Sequence, residues 1–414
     1  MITLIEAKSY KCLRYVSQPL DSFHILVGPN ASGKSTFLDV VALLGDMSRV
    51  GVEEAIRRRA RSVTDLVWHG EGDSFELAIE LSLPRPVDGF SAARYEVRIG
   101  TDGKEGVALL VENLWLVWNE RRTKRFPLEQ SASFPTDVPS PVAIVTPPGK
   151  HTPAGYRKVL SRHPEGRVYV RSETTDWNFS LRPPRARTGL ALVPEEEDRF
   201  VASVWVRNTL LQGIQMLTLN SLLMRSPCPP DAPVTFQPDG SNLPVVVSQL
   251  KEQHPARFQG WLEHVQTVFP EIVNIEQRVR EEDRHRYLLV ETKTGLRLPS
   301  WGLSDGTLRF LALTLLPYLP DPAGIYLIEE PENGIHPRAI EAVYQSLSSV
   351  YKGQVLCATH SPVLLNIASA HSLLCFARTA SGATDIVRGD MHPRLKEWRE
   401  TVTLGDLLAS GVLG

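Results

Sequence analysis

Nine residues near the start of the chain, Gly28-Pro29-Asn30-Ala31-Ser32-Gly33-Lys34-Ser35-Thr36, limit what it can fold into more than any other stretch. They match the pattern G-x-x-x-x-G-K-[ST] at every fixed position. His24-Ile25-Leu26-Val27 just before reads as a short buried strand, and Phe37-Leu38-Asp39-Val40-Val41-Ala42-Leu43-Leu44 continues as a helix. In a strand–loop–helix of this kind the backbone N–H groups of the turn and of the helix N-terminus converge on a polyphosphate. Lys34 then reaches the β- and γ-phosphates, and the Ser35 hydroxyl holds a magnesium ion. Gly28 and Gly33 allow conformations and close approaches that a Cβ would obstruct. The loop predicts a bound nucleoside triphosphate, with Gly28, Asn30, Ala31, Ser32, Gly33, Lys34, Ser35 and Thr36 around it.

At 414 residues the chain has room for roughly two to three domain-sized cores. Its 42% hydrophobic and 22% charged residues describe an ordinary soluble globular protein. A formal net charge of −2 supplies no global attraction to DNA or to an anionic membrane. The two densest basic runs, Arg57-Arg58-Arg59-Ala60-Arg61 and Arg121-Arg122-Thr123-Lys124-Arg125, read as solvated faces. Cys12, Cys228, Cys357 and Cys375 match no metal or redox spacing and suit a reducing cytosol. No signal-peptide pattern opens the chain, and the apolar run from Phe310 to Leu316 falls short of the about 20 residues a bilayer needs. The expectation is a soluble, cytoplasmic protein.

Along the chain, residues 1–45 read as β–β–phosphate loop–helix, followed by a helix at Glu53-Glu54-Ala55-Ile56. Phe75–Leu81 and Tyr95–Ile99 alternate with period two, as half-buried antiparallel strands do, and Thr101-Asp102-Gly103 suits a turn. Prolines crowd Phe126 to Pro153, which predicts a surface excursion without a continuous element. Apolar positions from Phe200 to Leu217 recur at helical spacing and predict one long amphipathic helix. Leu250, Phe258, Trp261, Leu262, Val265 and Phe269 predict a further pair of helices, and Tyr287–Glu291 and Leu296–Leu298 read as strands.

A second decisive motif is Ile325-Tyr326-Leu327-Ile328, an apolar run ending in Glu329-Glu330-Pro331-Glu332. A continuous apolar run of this length fits a buried parallel strand, whose C-terminal end is where α/β folds place ligand chemistry. Successive strand residues point opposite ways, so the two carboxylates can divide the work. Glu329 serves the magnesium shell and Glu330 orients or activates the attacking water. Glu332 reads as an exposed loop acid. Leu303-Ser304-Asp305-Gly306-Thr307 before a helical apolar pattern is a capped turn able to face an anion. Val355-Leu356-Cys357-Ala358-Thr359 is a second buried strand, ending at His360-Ser361-Pro362 and parallel to the first.

The order of the phosphate loop, Leu303–Thr307, Ile328–Pro337 and Thr359–Pro362 resembles the ABC-type ATPases of the SMC/RecF/OLD group. More narrowly it resembles the stand-alone branch usually labelled "predicted AAA-family ATPase". The resemblance covers residues 1–45 and 296–365, and more weakly Asp239-Gly240-Ser241-Asn242-Leu243. It implies an α/β P-loop NTPase of ABC-ATPase type with an antiparallel β lobe and an inserted, mainly helical region. The split core would be 1–125 and 286–414, the insert 126–285. It implies ATP and Mg2+ as ligands, Glu330 as catalytic carboxylate and His360 as switch histidine. Ser304 and Gly306 would contact the γ-phosphate held by the other subunit of a homodimer with shared ATP sites. His336 stands where many relatives carry the D-loop aspartate, Glu329 replaces the usual Walker B aspartate, and Asp305 replaces a signature glycine. No residue is assigned to the Q-loop.

Such a dimer is a switch whose output something else must read. One reading is an ATPase that gates a separately encoded effector, such as a nuclease or toxin, in bacterial anti-phage defence. The alternative is a DNA-repair or chromosome-processing ATPase that binds DNA directly. A transporter motor fits least, because about 270 residues separate Lys34 from Ser304. The residues after Pro362 carry no metal-carboxylate nuclease pattern.

Overall fold

The computed structural model describes residues 1–101, 106–118, 133–147, 152–163, 165–184, 186–196, 198–320, 324–396, 403, 405 and 406. The chain forms two compact units, one from Met1–Ile214 with Ala370–Arg399 and one from Gln215–Ser369. That division is a different cut from a core of 1–125 and 286–414 with an insert at 126–285.

The first unit begins with β1 (Ile2–Tyr10), β2 (Leu13–Pro19) and β3 (Phe23–Val27), so three strands precede the phosphate loop where two were expected. After the loop come α1 (Lys34–Val50) and α2 (Val52–Arg57), the latter over the predicted Glu53–Ile56. Next come β4 (Ser74–Val87), β5 (Phe90–Thr101), β6 (Val107–Val117), β7 (Tyr156–Arg162), β8 (Val168–Arg171), β9 (Asn178–Leu181) and α3 (Val201–Gln212). Eight of these strands form an antiparallel sheet in the order β2-β1-β4-β5-β6-β7-β8-β9.

Phe75–Leu81 is buried on both faces rather than one. The polar face carries charges that pair with one another: Arg94 with Glu6, with Glu80, and at 2.7 Å with Glu96. The rest of the cover comes from the proline-rich connection, which is not confined to the surface. Ile144 and Val145 are buried. Their N–H groups donate to Glu76 at 2.6 and 3.1 Å, and Thr146 N donates to Glu96 at 2.9 Å. A loop can be buried only if its backbone donors find acceptors, and these carboxylates supply them.

The helix expected to run to Leu217 stops at Gln212. Gly213 closes it, donating to Thr209 O at 2.9 Å, and the apolar residues beyond become a strand. Glycine is the poorest helix former after proline, so the periodicity continues where the helix does not.

The second unit holds β10 (Ile214–Leu217), α4 (Ser221–Arg225), α5 (Leu243–Gln253), α6 (Pro255–Val268), β11 (Ile272–Val279), β12 (Arg286–Thr292), β13 (Arg297–Pro299), α7 (Asp305–Leu315), β14 (Ile325–Glu329), α8 (Pro337–Ser348), β15 (Gln354–Ala358) and α9 (Pro362–Ile367). The stretch 126–285 therefore carries α3–α6 together with strands β7–β11. β14 and β15 pair in parallel from Ile325↔Gln354 to Glu329↔Ala358, as the sequence predicts. β11, β12 and β13 make a separate antiparallel sheet. The chain then returns to the first unit as the hairpin β16 (Leu373–Arg378) and β17 (Thr384–Arg388). β16 runs parallel to β3, Leu373↔Ile25 to Cys375↔Val27, which sets the hairpin beside the phosphate loop.

Arg57 and Arg58 pair with Glu53 and Glu54, and Arg59 with Asp39 and Asp46, so three of the four arginines of the first basic run carry acidic partners. The second run, and the Asp102-Gly103 turn, lie outside the described residues. All four cysteines are free thiols, and burial pushes that of Cys375 up to about 12. Among the described residues no helix is long and apolar enough to cross a membrane.

Replacing Glu96 with alanine leaves Arg94, Thr146 N and the Trp115 indole N–H without their shared acceptor. Chemical denaturation should show a loss of about 3–5 kcal/mol, the range for breaking a buried ion pair. Glu53→Ala, which breaks only an exposed pair, should stay within about 0.5 kcal/mol.

Candidate nucleotide site

In the first unit, β3 delivers the chain into a turn that uses left-handed backbone three times: Gly28 at φ 148°, Ala31 at φ 60° and Gly33 at φ 105°. Gly33 precedes α1 without any side chain capping the helix. The first N–H groups of a helix have no intrahelical partner, so this end offers donors and a positive dipole to an anion. Lys34 is buried and folds back over the turn, its Nζ donating to Gly28 O at 2.8 Å and Pro29 O at 2.9 Å. Asn30, Ala31 and Ser35 are exposed, Thr36 is half-buried, and the Ser32 hydroxyl is buried with no hydrogen-bond partner.

The helix behind the loop is pinned at Asp39, which accepts from Tyr10 Oη, Lys11 Nζ and Arg59 Nε, each at 2.6 Å. Burial pushes the Asp39 carboxyl up. Arg59 and Lys11 outweigh that and hold it below its ordinary value.

The second unit gathers the remaining predicted residues around the C-terminal ends of β14 and β15. Glu329 closes β14, half-buried, with Oε1 buried and unpartnered. A carboxylate oxygen left that way is costly unless a cation meets it, so the position suits a divalent metal. Glu330 is exposed at φ 47°; its N–H donates to Ala358 O at 2.8 Å, and Asn333 Nδ2 donates to its Oε2 at 2.5 Å. Backbone held in the left-handed region away from glycine costs of order 1 kcal/mol or more, so the surrounding bonds must impose it.

Glu332 is no loose loop acid. Its Oε1 accepts from Thr359 Oγ1 at 2.7 Å and from His360 N at 3.0 Å, tying the loop after β14 to the loop after β15. His360 is exposed beside it.

Ser304 is the N-cap of α7, accepting from Thr307 N at 3.1 Å. Gly306 lies against the loop after β14: a Cβ there would sit 2.1 Å from Gly334 O. His336 caps α8 through Nδ1, which accepts from Arg338 N at 3.2 Å. Sequence reading missed Arg225 at the end of α4. It donates to Leu303 O at 3.0 Å and pairs with Asp305 at 2.7 Å, bracing the turn from outside. An isolated arginine some 80 residues before its partners carries no local signal.

Fold and motifs together define a P-loop NTPase of ABC-ATPase type. Two solved structures resemble the chain throughout. One is the SmcHead bound to the C-winged helix domain of ScpA, at 15% identity and TM-score 0.51, covering 93% of this chain and 96% of that one. The other is the Smc head domain with an extended coiled coil bound to the C-terminal domain of ScpA derived from Pyrococcus furiosus, at 14% identity and TM-score 0.51, covering 93% and 95%. At such identities the likeness shows the fold. No curated protein matches the sequence. Residues 23–366 match the family model described as "AAA domain, putative AbiEii toxin, Type IV TA system", and the chain belongs to that family.

The packing of Gly306 on Gly334 makes a direct prediction. Gly306→Ala must push the α7 turn away from the loop after β14, and its denaturation midpoint should fall as for a loss of about 1–3 kcal/mol. Gly302→Ala, whose Cβ meets nothing nearer than 3.9 Å, should remain within about 0.5 kcal/mol of the parent protein.

Proposed function

We propose that this protein binds ATP with Mg2+, hydrolyses it, and works as a nucleotide-driven dimer that gates a separately encoded effector. The observation that carries the nucleotide part is the phosphate loop itself, three left-handed residues leading into an uncapped helix N-terminus with Lys34 folded beside it. Lys34 moves from the Gly28 and Pro29 carbonyls to the β- and γ-phosphates, exchanging two neutral acceptors for charged ones. Ser35 and Glu329 would hold the magnesium ion, whose charge would offset that of the phosphates. Glu330, exposed at the strand end, accepts a proton from the attacking water, and His360 is the switch group beside the γ-phosphate.

Ser304 and Gly306 face the γ-phosphate bound to the other subunit, so that two triphosphates close a homodimer and hydrolysis releases it. The family description, which calls the AAA domain itself a putative toxin of a type IV toxin–antitoxin system, is what favours a defence setting. Direct binding of DNA finds no support in the first basic run, whose Arg57, Arg58 and Arg59 are already paired. The cellular setting we favour is anti-phage defence in the cytoplasm.

Two variants test the chemistry. Lys34→Ala should bring Mg2+-dependent ATP turnover to background, and undiminished turnover would mean that the loop is not the active site. Glu330→Gln should keep ATP binding but slow hydrolysis by about 10²–10⁴, the usual contribution of a positioned acid–base group. Its closed dimer should accumulate as an ATP-dependent rise in mass. If Glu329→Gln accumulates that dimer and Glu330→Gln does not, the two carboxylates have exchanged roles.

A further inference from the structure

We propose that Thr384, on β17, is a positioning residue for nucleotide binding: its hydroxyl fixes the Ser32–Gly33 peptide so that the Gly33 N–H faces the phosphates. The proposal rests on the nucleotide-binding reading above, and it concerns a residue beyond the stretch 23–366 that matches the family model.

Thr384 is buried, and its Oγ1 donates to Ser32 O at 2.9 Å. Across a trans peptide the C=O and the next N–H point in opposite directions. Holding the Ser32 carbonyl back toward β17 therefore turns the Gly33 N–H the other way, toward the open side of the loop. Released, that peptide could flip and present a carbonyl oxygen to an anion, which repels it. The same side chain explains the second motif glycine. A Cβ on Gly33 would stand 2.2 Å from Thr384 Oγ1, so glycine is required by contact as well as by its φ of 105°.

The support behind Thr384 is stiff. Its own N–H donates to Cys12 O at 3.0 Å, and it pairs with Arg378 across the β16–β17 hairpin. The neighbouring Asp385 accepts from Thr136 N at 2.8 Å, and Ser381 Oγ donates to Asp137 at 2.6 Å, so the connection before β7 holds the hairpin. The hairpin also reaches the first motif glycine, where a Cβ on Gly28 would lie 2.2 Å from Phe376 O. A site is precise only when the groups holding it are themselves held, and β16–β17 does this for the loop.

The test is titration of the full chain with a fluorescent ATP analogue and Mg2+, alongside steady-state ATP turnover. Thr384→Val keeps the shape and removes the donor; Thr384→Ser keeps the donor. The valine variant should bind about five- to tenfold more weakly, the loss of one ordinary hydrogen bond. KM should rise with kcat within about twofold, as for an interaction made equally in ground and transition states. The serine variant should stay within about twofold of the parent protein in both. If the valine variant does not fold, Thr384→Ala removes the same donor and leaves more room beside Gly33.

Undiminished affinity in the valine or alanine protein overturns the proposal. So does a serine protein as weak as the valine one, because the hydroxyl would then not be what matters. Lys34→Ala, run in parallel, separates the two ideas. If it also binds the analogue normally, the nucleotide reading itself fails; if it alone loses binding, only the role of Thr384 is wrong.

Discussion

The start of α1 must stay uncapped, and much of the first unit follows from that. A helix whose first N–H groups are left for a ligand forgoes the roughly 1 kcal/mol that a capping side chain supplies. It also needs a preceding turn that will not fold over those donors. Here that turn runs through left-handed backbone at Gly28, Ala31 and Gly33. Such a turn has few internal bonds to hold it. Its rigidity is borrowed: from Thr384 and the Phe376 carbonyl behind it, and from Asp39, which locks α1 to Tyr10, Lys11 and Arg59.

Buried carboxylates do much of the remaining work of holding loops in place. Glu76 and Glu96 receive the N–H groups of Ile144, Val145 and Thr146, and Glu112 receives those of Gly189 and Leu190 at 2.7 and 3.0 Å. In the second unit Glu332 does the same between the two strand ends. A charged acceptor makes stronger hydrogen bonds than a neutral one, and two oxygens let it hold two donors from an irregular segment. That is how long connections without regular structure can lie on a sheet without orphaned backbone groups.

These arrangements explain what could be read from the sequence. The phosphate loop, β14 with its terminal acids, β15, and the Ser304 cap were legible because each depends on residues within a few positions of one another. α3 was misjudged because apolar spacing carries on through Gly213, while the backbone changes state there. The double-sided burial of Phe75–Leu81 was illegible because its cover arrives from residues 144–146. Arg225 and Thr384 left no trace in any local pattern; each makes its contacts with residues far along the chain.

The claim on which the proposed switch stands is that Ser304 serves the nucleotide of a partner subunit. The alternative is a plain helix cap: within one chain Ser304 is the exposed N-cap of α7, on a turn braced by Arg225. The measurement that separates them is ATP turnover in mixtures of Lys34→Ala and Ser304→Arg chains. Each variant alone should be inactive, one lacking the cation at its own phosphates and the other blocking its partner's. Mixed dimers contain one site with an intact Lys34 facing an intact Ser304, so turnover should reappear on mixing. Full activity of Ser304→Arg on its own would contradict the account and reduce the Leu303–Thr307 segment to a capped turn.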